Sequence, residues 1–265
     1  MALELGLKGK VVIVTGAAGG IGQTIVKMFA EEGANVVLAD INKEEADSVA
    51  NKIRSDFGVK AIACKTDVSK KADVDKVIES TLGEFNKIDI LVNCHGVDKR
   101  VMFVDIEEEE WDRVFDINAK GVYLFMRGVL PHMIKNRDGK IVNFSSIVGK
   151  EGYATFSHYS ASKFAITGLT QAVAKEVAEH NINVNAVCPG VLRTNLWEHI
   201  LDDMHKESPD ESRDDLFTGF VGNKIALKRP QTPEDIANIV LMLSSELTRN
   251  ITGESIAING GMRMD

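Results

Sequence analysis

Between Lys10 and Ile258 short runs of β-branched and aliphatic residues keep returning, and most are followed by a stretch with helical periodicity. The runs fall at 10–15, 35–39, 61–64, 88–92, 140–144, 183–187 and 255–258, and the helical stretches at 21–32, 43–57, 71–84, 107–136 with a break near Asn118, and 157–180. Strands separated by helices long enough for a crossover build βαβ units, so the sheet must be parallel. The runs are almost continuously apolar, without in/out alternation, which is the pattern of strands covered on both faces. No Pro- or Ser-rich linker, repeat or low-complexity tract divides the chain. The expectation is an α/β fold: one domain, 1–265, with a doubly wound parallel sheet of seven strands and helices on both faces.

One segment breaks the rhythm. Over 194–228 no strand can be placed, and within it 198–215 holds eight acidic residues against two basic ones. It follows the sixth strand on the side where open α/β sheets put their ligands. It reads as a substrate lid, with Leu196, Trp197 and Ile200 as pocket walls, or as a solvated acidic excursion, and the two are compatible. An acidic lid would repel strongly anionic substrates.

Charge and hydropathy narrow the function classes. With 31 Lys and Arg against 39 Asp and Glu the net charge is -8, and no basic run interrupts it, so nonspecific nucleic-acid binding is not expected. Apolar segments such as 11–14 and 239–243 are too short for a membrane span. The first residues, from Met1 to Lys8, lack a basic region followed by a sustained apolar stretch, so a cytoplasmic location is expected. Cys64, Cys94 and Cys188 are odd in number and widely spaced, which suits reduced thiols better than a disulfide framework or a metal site.

The first strand leads through Thr15-Gly16-Ala17-Ala18-Gly19-Gly20-Ile21-Gly22 into a helix. Glycine allows the tight turn and a close approach of backbone to ligand, while the free N–H groups and positive dipole end of the helix favour a pyrophosphate. Asp40 ends the second strand, 24 positions after Gly16. There a carboxylate can accept both hydroxyls of an adenosine ribose, and it would repel a 2′-phosphate, so NAD is preferred to NADP. An ordinary helix N-cap is the other use of an Asp at this position. Tyr159 and Lys163 stand four apart in a helical stretch and project from one face. An ammonium beside a phenol favours phenolate, and a phenol of lowered pKa suits proton transfer to and from the oxygen of an alcohol or ketone.

These residues resemble the short-chain dehydrogenase/reductase family over 10–262. The resemblance rests on the Gly16-x-x-x-Gly20-x-Gly22 turn, Asp67-Val68, Asn93-Cys94-His95-Gly96, Tyr159-x-x-x-Lys163, and Pro189-Gly190-Val191-Leu192-Arg193-Thr194. It implies a Rossmann-type fold and a tetrad of Asn118, Ser146, Tyr159 and Lys163. Ser146 and Tyr159 would meet the substrate, Lys163 would hold the nicotinamide ribose, and Asn118 would anchor a proton-relaying water. Ser146 is chosen over Ser145 because it precedes Tyr159 by 13 positions; Ser145 could instead bond the loop. Asn118 could equally stabilise a helix kink. Cofactor contacts would come from Gly16, Gly20, Ile21, Gly22, Asp40, Asp67, Val68, Asn93, Gly96, Tyr159, Lys163, Pro189, Leu192 and Thr194.

Cys94-His95 departs from the family's usual Asn and Ala. His95 is either structural or turned to the nicotinamide pocket for substrate binding or proton traffic, and with no Cys, Asp or Glu at ligand spacing no metal site is expected. The implied activity is NAD-dependent interconversion of a secondary alcohol and a ketone, on an uncharged substrate such as a polyol, a vicinal diol or acetoin-like ketone, or a hydroxysteroid. A 3-oxoacyl-carrier-protein reductase and a non-catalytic nucleotide-sensing module are the alternatives. The helices over 121–133 and 164–177 carry apolar or small residues on more than one face, so a homodimer or homotetramer is expected.

Overall fold

In the first strand Val12 and Val14 point to one side and Ile13 to the other, and all three are fully buried, so the sheet is covered on both faces from its centre outward. The computed structural model describes residues 4–264, with every side chain among them except those of Asn195 and Leu196. Met1, Ala2 and Leu3 of the N-terminal reading, and the pocket wall expected at Leu196, therefore lie outside the described residues. The strands are β1 (Val11–Thr15), β2 (Asn35–Asp40), β3 (Ala61–Lys65), β4 (Ile90–Asn93), β5 (Gly139–Phe144), β6 (Ile182–Pro189) and β7 (Ser255–Ile258). All pair in parallel in the order β3-β2-β1-β4-β5-β6-β7.

On one face pack α1 (Gly20–Glu31), α2 (Lys43–Phe57) and α9 (Pro233–Leu243), around Phe29 and Val240. On the other pack α3 (Lys71–Phe85), α5 (Gly121–Asn136) and α6 (Ser157–Val177), around Phe125 and Ile166. The long helix expected over 107–136 is two helices, α4 (Glu108–Phe115) and α5, joined by a π-turn over Asp116–Lys120 that contains Asn118. β4 begins at Ile90 rather than 88.

The segment over 194–228 is helical: α7 (Asn195–Glu207) and α8 (Arg213–Lys224) share a small core of their own, in which Trp197 meets the rings of Phe217 at 5.5 Å and Phe220 at 4.8 Å. The helices expected from the sequence include neither these two nor α9, although α9 packs on the sheet within the connection between the parallel strands β6 and β7. Local signals for two of them are nevertheless present. Thr232 and Asp235 form a reciprocal capping box around Pro233, with hydrogen bonds of 3.3 and 2.8 Å, and Ser212 caps α8 by accepting from the Asp215 N–H at 3.1 Å. No helix among the described residues is long and apolar enough to cross a membrane.

Candidate active site

β1 is paired on both sides, with β2 and with β4, so the connections leaving its two neighbours diverge and a crevice opens at the carboxyl ends of the strands. A cleft of about 920 Å³ lies at this edge, walled by Ile21 of α1, by residues after β4, β5 and β6, and by the segment carrying α7 and α8.

The turn from β1 to α1 is shaped by its glycines. Gly16 has φ of 65°, and a Cβ on Gly22 would lie 2.2 Å from the Gly16 carbonyl oxygen, so a side chain at position 22 would force the turn apart. A Cβ on Gly20 would meet nothing within 4 Å, so that side of the turn is open. The N-terminus of α1 has no side-chain cap and no acidic residue in its first turn. Orphan N–H groups at a positive helix end, with space in front of them, fit a pyrophosphate. Asp40 stands beside them, accepting from the Ala18 N–H at 2.8 Å through one oxygen and from the Asn42 N–H at 2.9 Å through the other. The N-cap of α2 is Asn42, which accepts from the Glu45 N–H, so the alternative reading of Asp40 as that cap does not hold. These residues fit a dinucleotide.

Other expected cofactor residues are placed as follows. Asp67 follows β3, with its carboxylate held below the usual range by the Ser69 hydroxyl at 2.6 Å and, after that, by Lys70 at 3.0 Å. Val68 is buried against Gly121. Pro189, Leu192 and Thr194 line the cleft. Asn93 is not brought there: its side chain is fully buried and donates to Asn143 Oδ1 at 2.9 Å, while Asn143 donates to Thr170 at 3.0 Å, so it ties β4 through β5 to α6.

Tyr159, Lys163 and Ser146 meet at the floor of the cleft. Ser146 lies close enough to the Tyr159 hydroxyl to favour its ionised form, and Lys163 Nζ lies 5.6 Å from the centre of the phenol ring. Ser145 faces the other way, donating to the Lys163 carbonyl at 3.0 Å. Lys163 Nζ donates to the Phe144 carbonyl at 2.7 Å, and burial lowers its pKa to about 8. A Cβ on Gly96 would lie 3.2 Å from Lys163 Nζ and 3.5 Å from Asn118 Oδ1, so the bare backbone at 96 is what lets these groups converge.

Asn118 is fully buried. It donates to the Val97 carbonyl at 2.8 Å and to Ser162 at 3.0 Å, and accepts from the Val97 N–H at 2.8 Å. Both amide hydrogens are thus engaged, and the side chain clasps the loop after β4 from the π-turn.

Several expectations need correcting. Burial pushes the Tyr159 phenol well above its ordinary value and the Asp98 carboxylate adds to this, against the nearby Ser146 hydroxyl, so the phenol is not lowered by its surroundings in this chain. His95 is bonded through Nδ1 to Thr15 at 2.6 Å and wedged against Gly121 and Phe125; burial, then the Lys163 charge, lower its pKa to about 3. The ring is neutral, and of its two readings the structural one has the Thr15 bond behind it, while the residue also lines the cleft. The acidic residues of 198–215 do not face the cleft: Glu198, Asp202 and Asp214 pair with Arg193 or Arg213, and the cleft is lined from 194–228 by Thr194, Trp197, His199, Ile200, Phe220 and Lys224. Repulsion of anions by the lid therefore has no geometric basis. Among the described residues no three His, Cys, Asp or Glu side chains gather as metal ligands.

One residue of the cleft had escaped notice. Asp98 follows the Asn93-Cys94-His95-Gly96 segment by two positions and carries no motif of its own, and no sequence signal marks it out. The residue is half-buried, its Oδ2 is buried and has no hydrogen-bond partner, and burial raises its pKa to about 6 against the charges of Lys163, His199 and Arg113.

Comparison with known proteins agrees with this geometry. The short chain dehydrogenase family model matches residues 10–205, and the chain belongs to that family. A diacetyl reductase, (S)-acetoin forming, from Staphylococcus epidermidis is 39% identical over 254 residues, covering 96% of this chain and 98% of that one. A 3-oxoacyl-acyl-carrier-protein reductase from Thermotoga maritima is 38% identical over 256 residues, covering 97% and 98%. Among solved structures, L-sorbose reductase from Gluconobacter frateurii, complexed with NADPH and L-sorbose, superposes with a TM-score of 0.94 at 28% identity, covering 99% and 100% of the two chains. An NAD+-bound xylitol dehydrogenase superposes with 0.90 at 30% identity, covering 97% and 100%. The chain is thus an oxidoreductase of alcohols and ketones with a pyridine nucleotide cofactor.

A carboxylic acid whose folded pKa lies above its unfolded value holds extra protons in the folded state, so stability falls as pH rises from about 4 through about 6. Asp98→Asn is expected to raise the thermal midpoint at pH 7.5 and to bring no gain at pH 4, as measured by circular dichroism melts. Each kcal/mol regained is worth roughly 2–4 °C in a chain of this size.

Proposed function

We propose that this chain is an NAD-dependent oxidoreductase that interconverts a secondary alcohol and a ketone, with Tyr159 as general acid and base. The observation that carries the reading is the convergence of Ser146, Tyr159 and the Lys163 ammonium at the floor of a cleft beside the open glycine turn. Ser146 orients the reacting oxygen toward Tyr159. In reduction the neutral phenol, which burial favours, gives its proton to the carbonyl oxygen as that oxygen gains negative charge. In oxidation Tyr159 takes the hydroxyl proton back, and Lys163 offsets the charge of the phenolate. A bound nicotinamide supplies the hydride donor or acceptor and, when oxidised, a positive charge. Asn118 holds the loop after β4 and anchors a water that passes protons to Lys163.

The cofactor is held by the turn from Gly16 through Gly20 and Ile21 to Gly22, by Asp40, Asp67 and Val68 on the adenosine side, and by Gly96, Lys163, Pro189, Leu192 and Thr194 on the nicotinamide side. NAD is favoured over NADP because the Asp40 carboxylate stands at the glycine turn, and the nearby Lys43 is paired with Asp47 at 2.5 Å. Residues 194–228 form the substrate-binding lid over a single catalytic unit, and the apolar Trp197, Ile200 and Phe220 on its cleft side suit a small uncharged alcohol or ketone. The names of the relatives and neighbours, diacetyl reductase, sorbose reductase and xylitol dehydrogenase, belong to the same range of substrates. A second reading, a 3-oxoacyl-carrier-protein reductase, has the support of the Thermotoga maritima relative.

The deciding assay follows reduced-nicotinamide absorbance with NAD or NADP across polyols, diols, hydroxysteroids and 3-hydroxyacyl thioesters. Turnover with NAD on an uncharged alcohol is expected, lowered about 10²- to 10⁴-fold in Tyr159→Phe. Turnover on thioesters alone selects the second reading. NAD binding with no turnover on any substrate points to a nucleotide sensor.

We also propose a homo-oligomer, since Tyr123 on α5 and Phe164 on α6 are each 46% exposed. Sedimentation is expected to give a dimer or tetramer, and a 29.0 kDa species alone contradicts this.

A further inference from the structure

An unpaired carboxylate oxygen in a largely buried position is costly to keep, because it has left water and gained no donor in return. Folds retain such groups mainly where a ligand completes them. Asp98 is such a group. Its Oδ2 is buried without a partner, and the residue lines the same cleft as Tyr159, Ser146 and Lys163. It is near enough to Tyr159 for its charge to act on the phenol.

The position is also fixed. Asn118 both donates to and accepts from the backbone of Val97, at 2.8 Å each, so the residue immediately before Asp98 is clamped to the π-turn. A carboxylate held in this way presents an acceptor at a set place in the cleft that holds Tyr159.

We propose that Asp98 determines specificity by accepting a hydrogen bond from a second hydroxyl of the substrate, so that the enzyme selects hydroxyketones, vicinal diols and polyols over simple alcohols and ketones of the same size. This rests on the reading of Tyr159 as the proton-transferring residue. The partner is a neutral donor: an anion would be repelled by the carboxylate itself, and a cationic group would meet Lys163, Arg113 and His199, whose charges already act on Asp98. A hydroxysteroid without a second hydroxyl near its carbinol leaves Oδ2 unpaired and is disfavoured.

The test compares pairs that differ by one hydroxyl, 2,3-butanediol with 2-butanol and acetoin with 2-butanone, in the wild type, Asp98→Asn, Asp98→Leu and Tyr159→Phe. The wild type is expected to prefer the hydroxylated member of each pair in kcat/KM. Asp98→Leu is expected to lower the ratio of kcat/KM for that member to kcat/KM for the other about 10- to 100-fold, the contribution of a hydrogen bond to a charged group, while any effect through the Tyr159 phenol falls on both members alike. Asp98→Asn, which keeps the shape and a neutral acceptor, should fall between them, and it serves if the leucine variant does not fold. Equal losses for both members of a pair, or a preference that survives in Asp98→Leu, overturn the assignment while leaving the role of Tyr159 intact. Full activity in Tyr159→Phe overturns that role and, with it, the placement of Asp98 beside the reacting oxygen.

Discussion

The position of β1, hydrogen-bonded to β2 on one side and β4 on the other, is the constraint on which the rest of the molecule depends. A parallel sheet can be extended in both directions from a central strand only if crossovers lie on both faces, and so every residue of β1 is buried. The same reversal of direction separates the loops that leave β1 and β4. The glycine turn and the Asn93-to-Asp98 segment therefore flank one crevice, and the site is a consequence of strand order before any catalytic side chain is considered.

Polar groups buried at this edge hold the loops in place. The Thr15 hydroxyl accepts from the Cys94 N–H at 3.1 Å and is bonded to His95 Nδ1 at 2.6 Å, joining the end of β1 to the loop after β4. Asn93, Asn143 and Thr170 form a ladder from β4 across β5 to α6, the helix that carries Tyr159 and Lys163. Asn118 closes the arrangement from the π-turn. Buried and hydrogen-bonded networks of this kind fix geometry rather than supply large net stability, and here they set the distance between the glycine turn and the Tyr159–Lys163 pair. Asp98 stands outside the network, which is why its free oxygen is available to a ligand.

Much of this was legible in the sequence because it depends on local chemistry. The seven apolar runs, the glycine turn and the four-residue spacing of Tyr159 and Lys163 each have a direct physical reading, and the fold places them as expected. The break near Asn118 was legible too, though the form of a π-turn was not. Residues that depend on tertiary surroundings were misread or missed. Burial, with the Asp98 carboxylate, raises the Tyr159 phenol, and pairing with Arg193 and Arg213 removes acidic residues of the lid from the cleft. The Asn93 side chain joins the sheet's internal bonding, because side chains at a strand end can turn to either side of the sheet and the sequence does not say which. Asp98 has no periodic or motif signal. Only the walls around it make it notable.

Direct transfer of hydride from the carbinol carbon, with Tyr159 handling only the oxygen-bound proton, is the central claim, and isotope tracing tests it most directly. The substrate alcohol, deuterated at the carbinol carbon, would be oxidised in ordinary water with NAD, and the reduced cofactor analysed by mass spectrometry. The account predicts that the reduced cofactor carries one deuterium per turnover. Reduced cofactor without deuterium would show that the hydrogen passes through an exchangeable group, and that would contradict the division of labour between Tyr159 and the nicotinamide.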